Sequence, residues 1–134
     1  MSSIALKILT PNGVFFEKDV EMVTLKTPEG YIGLQKNRLP FISSIDISSL
    51  FIKIDASNRK IAAIGGGIVF VEKTYIDIFT DDIQWKEELN KFEIQSLIDE
   101  ANRKINESKN NNVERNKNEI ILKKALNKLE TLSK

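Results

Sequence analysis

Cysteine and histidine are both missing from this 134-residue chain. Without cysteine there is no disulfide, no thiolate metal ligand and no sulfur nucleophile. Without histidine, the commonest general base, the commonest zinc ligand and any Ser-His-Asp triad are excluded too. No run approaches the roughly 18 apolar residues that a membrane helix needs. Met1-Ser2-Ser3-Ile4 has no basic stretch leading into an apolar one, so no signal peptide is expected, and a cytoplasmic chain is. An excess of one charge is also lacking. Residues 86–134 carry 11 basic and 9 acidic side chains, and the whole chain has a formal net charge of +1. Nucleic-acid binding calls for a far stronger basic bias.

What is present is a globular composition, 41% hydrophobic and 29% charged, enough for one domain or one domain plus an appendage. The character of the chain changes near Trp85. Before it, short β-rich runs alternate with turn residues. After it comes a charged stretch whose only cluster of turn formers is rich in Asn.

Ile4–Leu9 alternates and ends at Thr10-Pro11-Asn12-Gly13, a strong hairpin signal because Asn-Gly accepts positive φ. Val14-Phe15-Phe16 opens the returning strand. Val20–Lys26 predicts a further strand with a slip or bulge near Met22-Val23. Thr27-Pro28-Glu29-Gly30 is a second turn, followed by Tyr31–Leu34 and a loop over Lys36–Pro40. Phe41-Ile42, Leu50–Ile54, Ile61–Ile64 and Ile68–Val71 are further strand candidates, and Glu72-Lys73 links the last of these to Tyr75–Phe79. Gly65-Gly66-Gly67 leads into a strand and lacks the Lys-Ser/Thr of a phosphate loop, so it reads as a bulge or close backbone approach. Many short strands at this spacing predict an antiparallel β-sandwich or barrel over residues 1–85.

In residues 86–134, Ile94, Leu97, Ile98, Ala101 and Ile105 form one helical stripe; Ile121, Leu122, Ala125, Leu126, Leu129 and Leu132 form another. Glu87–Lys91, Asp99–Arg103 and Glu100–Lys104 are i,i+4 pairs in the favourable order. Ser108–Asn112 connects the helices, which are expected to pack as an antiparallel hairpin. Two readings stay open for it: a hairpin simply folded on itself, or a movable arm that exchanges its own packing for a partner's.

Several residues attract attention as site candidates. Asp81-Asp82 supplies too few converging oxygens for a hard cation and reads as a turn or cap. Trp85 is expected to pack the appendage against the sheet. Glu29 and Tyr31 flank a turn tip and Arg38 sits in a loop, where contact residues gather. No nucleophile, base and stabiliser come together, so neither a cofactor nor a catalytic role is expected.

The order Leu6–Gly13, Val23–Gly30, Gly33-Leu34 and Pro40, with Gly66–Val71, Thr80-Asp81 and Ala125–Leu129, resembles the epsilon subunit family of bacterial F-type ATP synthases over essentially the full length. The resemblance implies a ten-stranded β-sandwich followed by two helices, in a non-catalytic rotor part at the foot of the central stalk. It implies a peripheral place on the cytoplasmic face of the cell membrane, within the synthase and with no direct insertion. It implies that residues 1–85 bind the gamma subunit and the c-ring loops, with Glu29, Tyr31 and Arg38 as contacts. It implies that residues 86–134 form a regulatory arm reaching the alpha/beta hexamer, which couples to ion transport and restrains ATP hydrolysis.

The chain also departs from the family. Arg38 stands where a His is frequent, and Tyr31 where an acidic residue is. The Ile/Leu-Asp-x-x-Arg-Ala motif that helps some members bind a regulatory ATP falls on Leu89-Asn90-Lys91-Phe92-Glu93-Ile94, with Asn for Asp and Glu for Arg. In a shifted register, Ile98-Asp99-Glu100-Ala101-Asn102 keeps the Asp and loses the Arg. Glu93 repels phosphate, so no tight ATP binding is expected. The rival reading from another class is a free-standing β-sandwich binding an unrelated protein or carbohydrate.

Overall fold

The computed structural model describes residues 3–134. Met1 and Ser2, part of the segment in which no leader is expected, lie outside them. Eight strands come first: β1 (Ile4–Thr10), β2 (Gly13–Val20), β3 (Met22–Thr27), β4 (Gly30–Leu34), β5 (Phe41–Lys53), β6 (Arg59–Val71), β7 (Tyr75–Phe79) and β8 (Ile83–Trp85). A 3-10 turn over Lys86–Glu88 leads to α1 (Lys91–Glu107) and α2 (Asn112–Leu132). The two glycine turns form as their chemistry demands: Gly13 has φ 118° and Gly30 φ 119°, conformations that a side chain resists.

The strands hydrogen-bond in the order β2-β1-β7-β6-β5-β3-β4, with β8 against β6. This single ribbon of strands folds into two layers because β5 and β6 are long enough to serve in both. Residues 68–71 of β6 pair with β7, and residues 62–64 pair with β8. The first half of β5 runs beside the first of these β6 segments, and its last residues pair with β3. Layer one is therefore β2, β1, β7 and halves of β6 and β5; layer two is β4, β3, the other halves and β8. Counted by halves, each layer has five strands, which reconciles eight continuous strands with the expected ten. One pairing, β1 with β7, is parallel, so the sandwich is not antiparallel throughout.

The bend falls at Asp46 and Gly66. The paired positions Ile45↔Gly67 and Ile47↔Gly65 flank it, and Gly66 takes φ 90°. Inward-facing residues change parity there, from Ile45 to Leu50 and Ile52 on β5 and from Ala62 and Ile64 to Val69 and Val71 on β6. The core between the layers is aliphatic, built on Leu6, Ile8, Leu25, Leu50, Ile64, Ile76 and Ile78 among others. Each such side chain contributes about 1.5–3 kcal/mol when fully buried. The slip expected near Met22-Val23 is a one-residue break at Glu21, where the chain crosses from layer one to layer two. The register shift on this ribbon lies instead between Ile8 and Leu9, opposite β2.

Trp85 does not pack the helices onto the sheet. It stacks on Phe15 at 4.6 Å and meets the edge of Phe16 at 5.7 Å, with Lys60 Nζ 4.2 Å over its ring. Phe15 and Phe16 lie on β2, the edge of layer one, and Trp85 on β8, the edge of layer two. The indole thus closes the open side of the sandwich.

The Asn90 side chain caps α1, and the Asn111 side chain caps α2. Ile94, Ile98 and Ala125, with Leu122, Leu129 and Leu132, pack the helices together. Leu97, Ile121 and Leu126 point outward, so both apolar stripes are narrower than the sequence suggests. Of the three expected ion pairs only Glu100–Lys104 forms, at 3.2 Å. Arg103 turns to Glu107 at 3.0 Å, while Asp99 accepts from Gln95.

Candidate functional site

Three surfaces of the sandwich carry groups with no role in its core. The first is a cleft of about 670 Å³ at one end, between the β3–β4 turn and the loop entering β5. Glu29 and Arg38, separated in sequence, both line it, together with Ile32, Leu39, Pro40 and Ile42. Arg38 is held in place: its Nη1 donates to Gly33 O at 3.1 Å and its guanidinium lies 5.9 Å from the Phe41 ring. The neighbouring Asn37 takes φ 70° and donates its N–H to Lys73 O at 2.9 Å, pinning the loop to the β6–β7 turn. Tyr31 does not join them. Strand alternation sends it to the other side of β4, edge-on to Phe51 at 6.1 Å and 6.0 Å from Lys26 Nζ. The cleft has an apolar lip absent from the sequence-based candidates, Leu39 at 79% exposure and Ile42 at 68%. The signal for it is two large apolar residues flanking Pro40.

The second surface is the outer face of layer one. Ile42, Ile68, Phe70, Tyr75 and Phe79 come from three neighbouring strands and are all exposed. Phe70 and Phe79 meet edge to face at 5.5 Å. Contiguous exposed apolar patches are features that soluble proteins use for partner or ligand contact. Sequence reasoning missed it because these residues are the outward half of strands whose inward half is equally apolar.

The third surface is the outer face of layer two, and the hairpin covers it. Small residues let α2 approach: Ser49 and Ala63 are buried on the outer side of the sheet. The seam is polar. Ser49 Oγ and Thr131 Oγ1 are 2.7 Å apart, and Asn127 Nδ2 donates to Ser48 O at 2.8 Å. Asp82 faces Lys124 and Lys128 of α2. Asp82 is therefore an ion-pair partner for α2 and not a cap. Asp81 lines an apolar groove of about 740 Å³ floored by Gly65, Gly66 and Gly67 and flanked by Ile120. Each of these glycines answers to packing or to backbone conformation. A Cβ on Gly65 would strike Asp82, one on Gly67 the Phe79 carbonyl, and Gly66 needs its positive φ. Among the described residues no three acidic side chains converge as metal ligands, and no helix is long and apolar enough to cross a membrane.

In the stretch aligned with the nucleotide motif, Asn90 Oδ1 accepts from the N–H groups of Phe92 at 2.9 Å and Glu93 at 3.1 Å. Leu89 joins the helical core, and Glu93 is exposed. This corner offers an occupied cap and a free carboxylate.

Residues 3–86 match the family model described as "ATP synthase, Delta/Epsilon chain, beta-sandwich domain". The ATP synthase epsilon chain of Mycoplasmopsis pulmonis is 37% identical over 131 residues, covering 97% of this chain and 93% of that one. That of Mycoplasma mobile is 54% identical over 86 residues, 63% of this chain and 61% of its own. That of Ruminococcus albus is 33% identical and covers both chains almost fully. Among solved structures, a chain of the Euglena gracilis mitochondrial ATP synthase assembly (OSCP, F1 and c-ring) superposes with a TM-score of 0.84. It covers 100% of this chain and 83% of that one at 20% identity, a likeness of fold.

Proposed function

The chain belongs to the ATP synthase delta/epsilon-chain family as a non-catalytic subunit of the central stalk, and from that premise we propose that it couples proton transport to ATP synthesis and hydrolysis and restrains hydrolysis through α1 and α2. One observation carries the reading: the two outer faces of the sandwich differ in kind. Layer one presents bare aromatics, suited to permanent docking on the gamma subunit. Layer two holds the hairpin through a polar seam, suited to a contact that breaks and re-forms.

In this reading, residues 1–85 are the foot and 86–134 the regulatory arm, which reaches the alpha/beta hexamer when released. The end cleft meets the c-ring loops. Glu29 and Arg38 offer opposite charges there, Leu39 and Ile42 supply apolar contact, and Tyr31 touches the ring from the flank. As part of that assembly, the chain in this reading lies peripherally on the cytoplasmic face of the membrane.

The test is copurification. The double variant Phe70→Glu/Phe79→Glu changes only outward-facing side chains and is expected to leave the sandwich folded. Loss of two central aromatic anchors is expected to cut recovery of gamma and the catalytic subunits from membranes at least tenfold. Recovery at the wild-type level would remove layer one as the gamma-binding face; failure of the wild-type chain to recover them would remove the stalk assignment itself.

A further inference from the structure

The β7–β8 connection sets one carboxylate against the hairpin. Asp82 stands 3.7 Å from Lys124 Nζ and 4.0 Å from Lys128 Nζ, two lysines one turn apart on α2. Only 19–28% of each of these side chains is exposed. The backbone fixes the carboxylate there. Gly65 N–H donates to Asp82 O at 2.7 Å, Asp82 N–H donates to Thr80 Oγ1 at 3.2 Å, and that hydroxyl donates to Gly66 O at 2.6 Å. A Cβ on Gly65 would lie 2.6 Å from Asp82 Oδ2, so the carboxylate keeps its position because residue 65 is glycine. The other polar contacts between the strands and α2 join neutral groups, Ser49 with Thr131 and Asn127 with Ser48, while beyond the strands the Lys86 ammonium in the 3-10 turn donates to Lys134 O at 2.7 Å.

We propose that Asp82, seated by Gly65 between Lys124 and Lys128, is a charge clasp that sets the docked fraction of the hairpin and makes it respond to ionic strength. Screening shortens the reach of charge from about 10 Å at 0.1 M salt to about 3 Å at 1 M, and neutral hydrogen bonds do not feel it. Raising salt therefore loosens one set of seam contacts and spares the other. A partly exposed pair changes an equilibrium up to about fivefold, so loss of both together is expected to raise the undocked-to-docked ratio roughly tenfold. The clasp deepens the movable-arm reading and uses the isolated full chain, so its outcome is independent of hydrolysis by the complex.

The absence of native cysteine makes labelling simple. Lys73→Cys and Lys109→Cys, both exposed, carry a donor and an acceptor dye, and hydrogen exchange across α2 reads openings too rare for the dyes. Between 0.05 and 0.5 M KCl the unmodified clasp is expected to show several-fold more opening. Asp82→Asn, which keeps every backbone contact of the β7–β8 connection, is expected to open about tenfold more at low salt and to lose most of the salt response, leaving only the part carried by Lys86 and the end of α2. Lys124→Gln/Lys128→Gln is expected to behave alike without touching the β7–β8 connection, and Gly65→Ala to open the seam with all charges retained. Salt-insensitive exchange in the parent chain, or Asp82→Asn and the lysine variant remaining as docked and as salt-responsive as the parent, would overturn the clasp.

Discussion

Asn90 holds the start of a helix with a single amide oxygen. Its Oδ1 accepts two N–H groups at the start of α1, and the exposed Glu93 beside it repels an anion. Isothermal titration with ATP is expected to give no binding in the low-micromolar range; heat in that range would contradict the assignment. Asp55 is held by its own turn. Its carboxyl is drawn down from 3.8 to about 2, chiefly by the Asn58 side chain and next by the Ser57 N–H. A carboxylate depressed on folding contributes stability above its unfolded pKa, and that contribution is lost as pH falls through the folded value. The turn before β6 is thus expected to loosen between about pH 4 and pH 2, with an Asp55 NMR titration midpoint near 2; a midpoint at 3.8 would mean the turn bonds are not made.

Among the elements, turns and helices were legible because their signals are local. Asn12-Gly13 and Pro28-Glu29-Gly30 encode positive φ directly, and the Asn cluster at 110–112 marks the end of one helix and the cap of the next. The centre of β5 was not legible. No element is read over Ser43-Ser44-Ile45-Asp46-Ile47-Ser48-Ser49, between the Phe41-Ile42 and Leu50–Ile54 candidates. This stretch is strand because β6 pairs along its whole length and α2 covers Ser49, facts that lie far away in sequence. β8 is three residues long and too short for periodicity to detect. The outward turn of Leu97, Ile121 and Leu126 was equally hidden, since a helix rotates to suit what it docks on. Of the end cleft, Glu29 and Arg38 were readable as surface residues near turns. Their meeting depends on the β4–β5 loop, which no spacing rule encodes. The helical core is narrow. Ile98→Ala leaves a cavity between α1 and α2 and is expected to cost about 2 kcal/mol or more. Hydrogen exchange is expected to rise throughout both helices and stay unchanged in β5 and β6; a matching rise in the strands would mean that hairpin and sandwich unfold as one.

For the whole molecule, sandwich and hairpin answer to different forces. The sandwich buries an aliphatic core between two layers, whereas the hairpin meets it mainly through small and polar side chains. Removing residues 86–134 uncovers Ser49 and Ala63, neither of which is large enough to open the core. The truncated chain is expected to assemble with gamma, and the complex to hydrolyse ATP several-fold faster than with the full chain. Hydrolysis unchanged in an otherwise complete complex would count against an inhibitory arm.

The shared strands β5 and β6 carry a mechanical consequence. In a sandwich of two separate sheets, shear is resisted only by side-chain contacts, which slide. Here the layers are stitched by two continuous peptide backbones that turn the corner side by side, with their own ladder intact on both flanks of Gly66. Torque applied at one face reaches the other through covalent chain, and delamination would require the kink itself to tear open.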